Sequence, residues 1–188
     1  GLTGTMRLAR IGGGQSNPTF FVDYDARALV LRKQPPGELL PSAHAVDREY
    51  RVMRALGPAG VPVPRAVLFH AERDVVGTPF YLMKKLEGRV FAAHSLPGLV
   101  PAERGAMYRS MADTLATLHR VDPAAVGLAD YGKPGNYFGR QIDRWSKQYK
   151  LSETETIDEM NRLIEWLPQT IPAGERTGIV HGDYRLDN

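Results

Sequence analysis

Cysteine is absent from the chain, and with it go a disulfide framework, a thiolate metal site and a cysteine nucleophile. Long hydrophobic runs are missing too: no apolar stretch approaches the ~18–20 residues of a membrane-spanning helix. Charge of one sign is nowhere concentrated. The 24 lysines and arginines face 21 acidic residues, giving a formal charge of +3 and a pI near 9.2. The densest basic patch is the pair Lys84-Lys85, not the stripe that a nucleic-acid surface needs. Neither nucleic acid nor membrane is therefore expected as a partner, whereas an anionic ligand such as a phosphate is compatible. No basic-then-apolar leader with a cleavage site opens the chain, so export is not expected and a reducing cytoplasm is the expected setting. Gly1 in place of a methionine points to a processed or internal piece of a longer protein. What is present is ordinary for a globular protein: 188 residues, 43% hydrophobic and 24% charged, enough for one large domain or two small lobes.

The first third reads as strands. Met6–Ile11 runs into Gly12-Gly13-Gly14, and Thr19–Tyr24 and Ala28–Arg32 are apolar runs joined across Asp25-Ala26 as a hairpin. Pro35-Pro36-Gly37 forces a loop. Ser42 is positioned to cap a helix over Ala43–Leu56, with Gly57 as its stop. Ala45, Val52, Met53 and Leu56 share one face of that helix, and Glu49 falls on the same face. Such a local inconsistency tends to mark a functional position. Ala66–His70 and Pro79–Lys85 are two further strands, and Lys84–Gly88 reads as a linker. Beyond it the period becomes helical. Pro101 opens a helix with Met107, Met111, Leu115 and Leu118 on one face, and Phe138, Ile142, Trp145 and Tyr149 repeat in the next. Ser152-x-x-Glu155 predicts a capping box before a third, with Ile157, Met160, Ile164 and Leu167 inward. Ile179-Val180 reads as a short strand.

Three stretches carry candidate chemistry. The run "IGGGQSNPTF" combines glycines, which allow close backbone approach to an anion, with the polar Ser16, Asn17 and Thr19. It matches neither Gly-x-x-x-x-Gly-Lys-Ser/Thr nor Gly-x-Gly-x-x-Gly, and judged alone it fits a hairpin turn as well as a phosphate loop. Arg32 ends the strand "LVLR", and Lys33 points to its opposite face. A carboxylate on a buried helix face needs a cation, and Arg32 is the nearest candidate in sequence for Glu49. An Arg–Glu pair over a glycine turn would present the fork geometry that suits phosphate oxygens. The third stretch is "GIVHGDYRLDN", where Asp183 and Asn188 stand five apart in a polar loop behind a strand. That spacing suits one carboxylate acting on a hydroxyl and one amide oxygen reaching a metal.

In this order the pieces resemble the protein-kinase-like phosphotransferases: glycine loop, strand cation, helix glutamate, linker strand, then His-x-Asp-x-x-x-x-Asn. His181-Gly182-Asp183 in place of His-Arg-Asp is similar to the aminoglycoside phosphotransferase and choline kinase branch. "GGQSNPTF", "LRKQPPG", "AHAVDREYRVMRAL", "GTPFYLM" and "LATLHRVDPAAVGLADYG" look like the subgroup whose members occur alone or fused to acyl-CoA dehydrogenase domains. The resemblance covers nearly the whole chain. It implies an α+β, two-lobe fold: an antiparallel sheet plus one helix over residues 1–86, and the first part of a helical lobe over 87–188. It further implies an ATP- and Mg²⁺-dependent kinase acting on a hydroxyl of a small molecule, with a hydroxyacyl-CoA attractive as acceptor.

Carried over by position, Asp183 would accept the hydroxyl proton and Asn188 would bind Mg²⁺. Arg32 would contact the α- and β-phosphates with Glu49 holding it, and Gly13, Gly14, Gln15, Ser16 and Asn17 would cover the triphosphate. Met83 would back the adenine, and the backbone of Lys84–Leu86 would bond its edge. His181 is expected to be structural, and Arg185 fits either a substrate contact or a solvated loop position. The resemblance places a second metal-binding Asp after Asn188, so these residues alone are expected to lack turnover. Two other readings stay open: a nucleotide-binding regulatory module without turnover, and an acyl-CoA dehydrogenase label acquired by association, for which no residue here supports flavin chemistry.

Overall fold

A computed structural model describes residues 4–12, 17–25, 27–37, 44–174 and 176–186. Five strands, β1 (Arg7–Arg10), β2 (Thr19–Tyr24), β3 (Arg27–Lys33), β4 (Ala66–His70) and β5 (Phe80–Lys84), form one antiparallel sheet in the order β1-β2-β3-β5-β4. β2 and β3 form the expected hairpin, with Tyr24 paired to Arg27. At the other end of β2, the Ile11 N–H donates to the Thr19 carbonyl at 2.9 Å, extending the β1–β2 pairing by one bond.

Register decides which side chains meet. Thr19 lies opposite Arg32, Arg32 opposite Tyr81, and Tyr81 opposite Phe69. Directly opposed residues share a face of a sheet, so four strands contribute one row to the face that the helix covers. Helix α1 (Val46–Leu56) lies over that row. Its Tyr50 ring stacks on Phe69 at 5.7 Å between centroids and tilts against Tyr81 at 6.2 Å.

The start of α1 departs from expectation. Ser42 and Ala43 lie outside the described residues, but His44 is in the left-handed region at φ 58° and Ala45 is the N-cap, without a side-chain hydrogen bond. A residue in that conformation cannot extend a right-handed helix toward the N-terminus. The helix therefore begins at Val46.

The helical part comprises α2 (Pro101–Arg120), α3 (Tyr137–Ser152) and α4 (Asp158–Trp166), with a 3₁₀ turn at Leu167–Thr170. The α2 face holds as read, with Leu118 buried and Met107, Met111 and Leu115 half-buried. The cap at Ser152 does not form. Ser152 is the last residue of α3, and its hydroxyl donates back to the Gln148 and Tyr149 carbonyls, the local bonding that serines favour inside helices. The N-cap of α4 is Ile157. The inward faces read for α3 and α4 are only partly covered, with Phe138 51% and Trp145 58% exposed. Ile179-Val180 belongs to no strand among the described residues.

The two parts share a core. Leu56 of α1, Val61 of the following connector and Leu118 of α2 form one buried cluster, with Val52, Val63, Leu115, Val121 and Ile179 packed around it. A second junction is polar. Arg51 of α1 forms an ion pair with Asp130 and donates to the Gly127 carbonyl at 2.8 Å. Arg48 donates to the Tyr131 carbonyl at 2.6 Å and lies 4.0 Å from that ring's centroid.

Candidate active site

The pair expected between β3 and α1 is present. Arg32 Nε donates to Glu49 Oε2 at 2.7 Å and its terminal nitrogen to Oε1 at 3.3 Å, a two-pronged contact. Such forks combine charge with fixed geometry. The side chains are 27% and 34% exposed, so the pair is half-withdrawn from water yet reachable from outside. The second terminal nitrogen of Arg32 donates to Thr19 Oγ1 at 3.2 Å, and Thr19 donates in turn to the Asn17 carbonyl at 2.9 Å.

Two further donors reach the same carboxylate. Asn17 Nδ2 donates to Glu49 Oε1 and the Tyr81 hydroxyl to Oε2, each at 2.9 Å. Asn17 is 5% exposed and Tyr81 3%. The carboxylate fixes the Asn17 amide orientation, because only the NH₂ group can face it, and the amide oxygen is then the acceptor that meets His44 Nδ1 at 2.9 Å. Burial pushes the Tyr81 phenol well above its ordinary range, and the Glu49 charge pushes the same way. Tyr81 is thus a fixed donor.

Sequence reasoning missed Tyr81 and His44. Tyr81 sits in the apolar run "FYLM" and looks like core; only the register that sets it opposite Arg32 reveals its role. His44 lies where a helix was expected, so nothing in its neighbours singled it out.

Of the other positions expected to hold a nucleotide, Gly13, Gly14, Gln15 and Ser16 lie outside the described residues. Met83 pairs with Val30 and, two residues beyond Tyr81, shares the Arg32 face of the sheet. The N–H groups of Lys84 and Lys85 already donate to the Arg65 and Ala28 carbonyls at 2.9 and 3.2 Å. A ligand edge at this strand end would therefore have to use carbonyls or the exposed Leu86.

Asp183 sits on the segment Gly178–Leu186, which runs along α2. Gly182, at φ 84°, makes the turn before it in a region that suits glycine. Ile179 packs into the shared core, and the Tyr184 hydroxyl donates to the Met111 carbonyl at 3.0 Å. Asp183 Oδ1 lies 3.3 Å from Arg185 Nε, the two side chains being 62% and 51% exposed. His181 meets the Tyr184 ring edge-on at 5.4 Å, a packing contact within the loop. Asn188 lies outside the described residues.

An anion suits the first cluster, where a guanidinium is held by its carboxylate. For a metal ion, the described residues contain no cluster of three or more His, Asp or Glu able to hold one. Magnesium bound with phosphates needs only one or two carboxylates, but the described residues do not define its place.

The antiparallel sheet, the single crossing helix with its Arg–Glu pair and the helical part carrying Asp183 define a protein-kinase-like, two-lobe phosphotransferase fold. A profile of the Phosphotransferase enzyme family matches residues 7–188, and the chain belongs to that family. It is 50% identical over 186 residues to acyl-CoA dehydrogenase family member 10 of Mus musculus, covering 99% of this chain and 17% of that protein. Family member 11 of Rattus norvegicus is 46% identical over 184 residues, covering 97% and 24%. The chain thus spans less than a quarter of the length of these relatives, whose name belongs to the whole proteins. A solved structure from Ralstonia eutropha, assigned to the aminoglycoside phosphotransferases, matches with a TM-score of 0.88 at 49% identity, covering all of this chain and 55% of that one. An aminoglycoside-3'-phosphotransferase of type VIII, at 18% identity, shares the fold with a TM-score of 0.61 over 97% of this chain and 65% of its own. The resemblance read from the sequence, including the link to acyl-CoA dehydrogenase family members, is borne out.

Proposed function

We propose that this chain is the nucleotide-binding part and catalytic loop of a small-molecule kinase that phosphorylates an alcohol, with residues 1–86 as the nucleotide lobe and 87–188 as the start of the helical lobe. The two-pronged Arg32–Glu49 contact carries the reading. It is a cation fixed in orientation before any ligand arrives, which is what an enzyme relying on positioning and charge stabilisation requires.

ATP, when bound with Mg²⁺, supplies the phosphoryl group and the ion that neutralises its oxygens. The protein's part is to hold and orient. Glu49 keeps the Arg32 fork against the sheet, and the glycine-rich sequence before Asn17 is of the kind whose backbone N–H groups bind phosphate oxygens. Asp183 stands ready to accept the proton of the acceptor hydroxyl as that oxygen attacks. Its contact with Arg185 orients the carboxylate for that role. A hydroxyacyl thioester is the favoured acceptor class, supported by the occurrence of this segment in acyl-CoA dehydrogenase family members.

The test uses the full-length protein with ATP, Mg²⁺ and a panel of hydroxyacyl-CoA and amino-alcohol acceptors. Acceptor-dependent ADP release that Asp183→Asn lowers by about 10²–10⁴-fold is the expected result. Equal release by both proteins would sink the kinase reading.

A further inference from the structure

The Glu49 carboxylate accepts four hydrogen bonds, two from Arg32, one from the Asn17 amide and one from the Tyr81 hydroxyl. An ionised carboxylate has about four lone-pair sites, so its capacity is filled. The ion pair itself uses only half of it. The remainder is taken by two neutral side chains, each more than nine-tenths buried, that come from different elements: Asn17 from the end of the glycine-rich turn, Tyr81 from β5. We infer that Tyr81 and Asn17 are positioning residues that hold Glu49, and through it the Arg32 fork, in the nucleotide-ready orientation before ligand binds.

Glu49 rides on a helix that touches the sheet through aromatic packing and is tied to the 127–131 segment by arginines. Its position is therefore not fixed by strand pairing. A carboxylate held only by Arg32 could follow the helix and draw the guanidinium with it. Tyr81 belongs to the sheet row that contains Arg32, so its hydroxyl references Glu49 to the same strands that carry the cation. Asn17 does the same from just before β2, and its amide oxygen meets His44 Nδ1, at the entry to α1. The carboxylate is thereby located from three sides.

The inference rests on the nucleotide reading above and is tested apart from it. Affinity for ADP and for a non-hydrolysable ATP analogue is measured by calorimetry in the full-length protein, together with kcat and KM for ATP. Tyr81→Phe keeps the ring and deletes one hydrogen bond to a charged group, so nucleotide Kd and KM should rise about threefold to tenfold. The contact is made equally in ground and transition states, so kcat should move less than KM, and the melting temperature should stay close to that of the unsubstituted protein. Asn17→Ala should act in the same direction. The deciding measurement is the cycle with Glu49→Gln: if both residues act through the carboxylate, neither substitution should weaken binding further in that background. Additive losses, or Kd values unchanged by Tyr81→Phe, overturn the assignment while leaving the nucleotide reading intact. No nucleotide binding by the unsubstituted protein overturns both.

Discussion

The Arg32–Glu49 cluster and the Asp183 segment are held by opposite means. In the first, two strands and the segment before β2 converge on one helix-borne carboxylate, the neutral donors are buried, and both oxygens of Glu49 are occupied. In the second, a run without regular structure is secured by one apolar side chain, one tyrosine hydroxyl and an exposed ion pair. The first is over-determined by its neighbours and the second is lightly tethered. In the proposed kinase this matches the demands on each half. Nucleotide phosphates need a cation fixed in advance, whereas an acceptor hydroxyl has to enter beside a carboxylate that water can reach.

The sharpest way to break the comparison is to exchange the phenotypes of the two halves. Asp183→Asn should abolish nearly all transfer, by about 10²–10⁴-fold in kcat, with nucleotide Kd within about twofold because Asp183 is not among the groups holding the cation. Glu49→Gln should instead raise Kd by about 10–100-fold, since it turns a charge-assisted pair into a neutral contact and leaves Arg32 short of its counter-charge. Kinetics and calorimetry on the same two variants check both, and a shared phenotype would erase the distinction.

Next in size is a substitution that should affect both halves. Leu118 is 6% exposed in the cluster that joins α1, the connector, α2 and Ile179. Leu118→Ala should cost about 2–4 kcal/mol of unfolding free energy, and denaturant titration followed by probes in either part should show one transition. Smaller, and confined to the tethered half, is Tyr184→Phe. Loss of its bond to the Met111 carbonyl should cost about 0.5–1.5 kcal/mol, seen as faster amide exchange in residues 180–186 with β3 and β5 unchanged.

The smallest effect concerns the polar junction. Arg51, hydrogen-bonded to Asp130, holds that carboxyl below its ordinary range. A carboxyl lowered in the folded state lends stability above its unfolded pKa of about 3.9 and loses it as the pH falls through the lowered folded value. Both groups are exposed, so the contribution is slight. Comparing acid titrations of the protein and of Asp130→Asn should show a small extra loss below pH ~4 only where Asp130 is present.

How much of this was legible in the sequence follows from the range of each interaction. All five strands and the helix carrying Glu49 were readable because alternation and helical periodicity are local. So was the Arg32–Glu49 pair, since a carboxylate on an apolar helix face demands a cation and the adjacent strand offers one. Tyr81 was not, because its role depends on β3 pairing with β5 across nearly fifty residues of chain, in a register no local pattern encodes. The cap read at Ser152 failed for a local reason: its hydroxyl satisfies carbonyls of its own helix before it can serve the next. The strand read at Ile179-Val180 shows that alternation specifies an in–out pattern and not a ladder. Ile179 does turn inward and Val180 outward, but no strand pairs with them among the described residues.

The cation at position 32 being a guanidinium has a practical side. In the proposed kinase, a reagent delivering an acyl group from a nucleotide phosphate to a strand amine would find no amine at that position. The adjacent Lys33 offers none in its place, since it sits on the other face of the strand with its ammonium donating to the Val76 carbonyl. In the proposed kinase, arginine-directed dicarbonyls, from which bound nucleotide would shield Arg32, are the chemistry suited to reporting on this site.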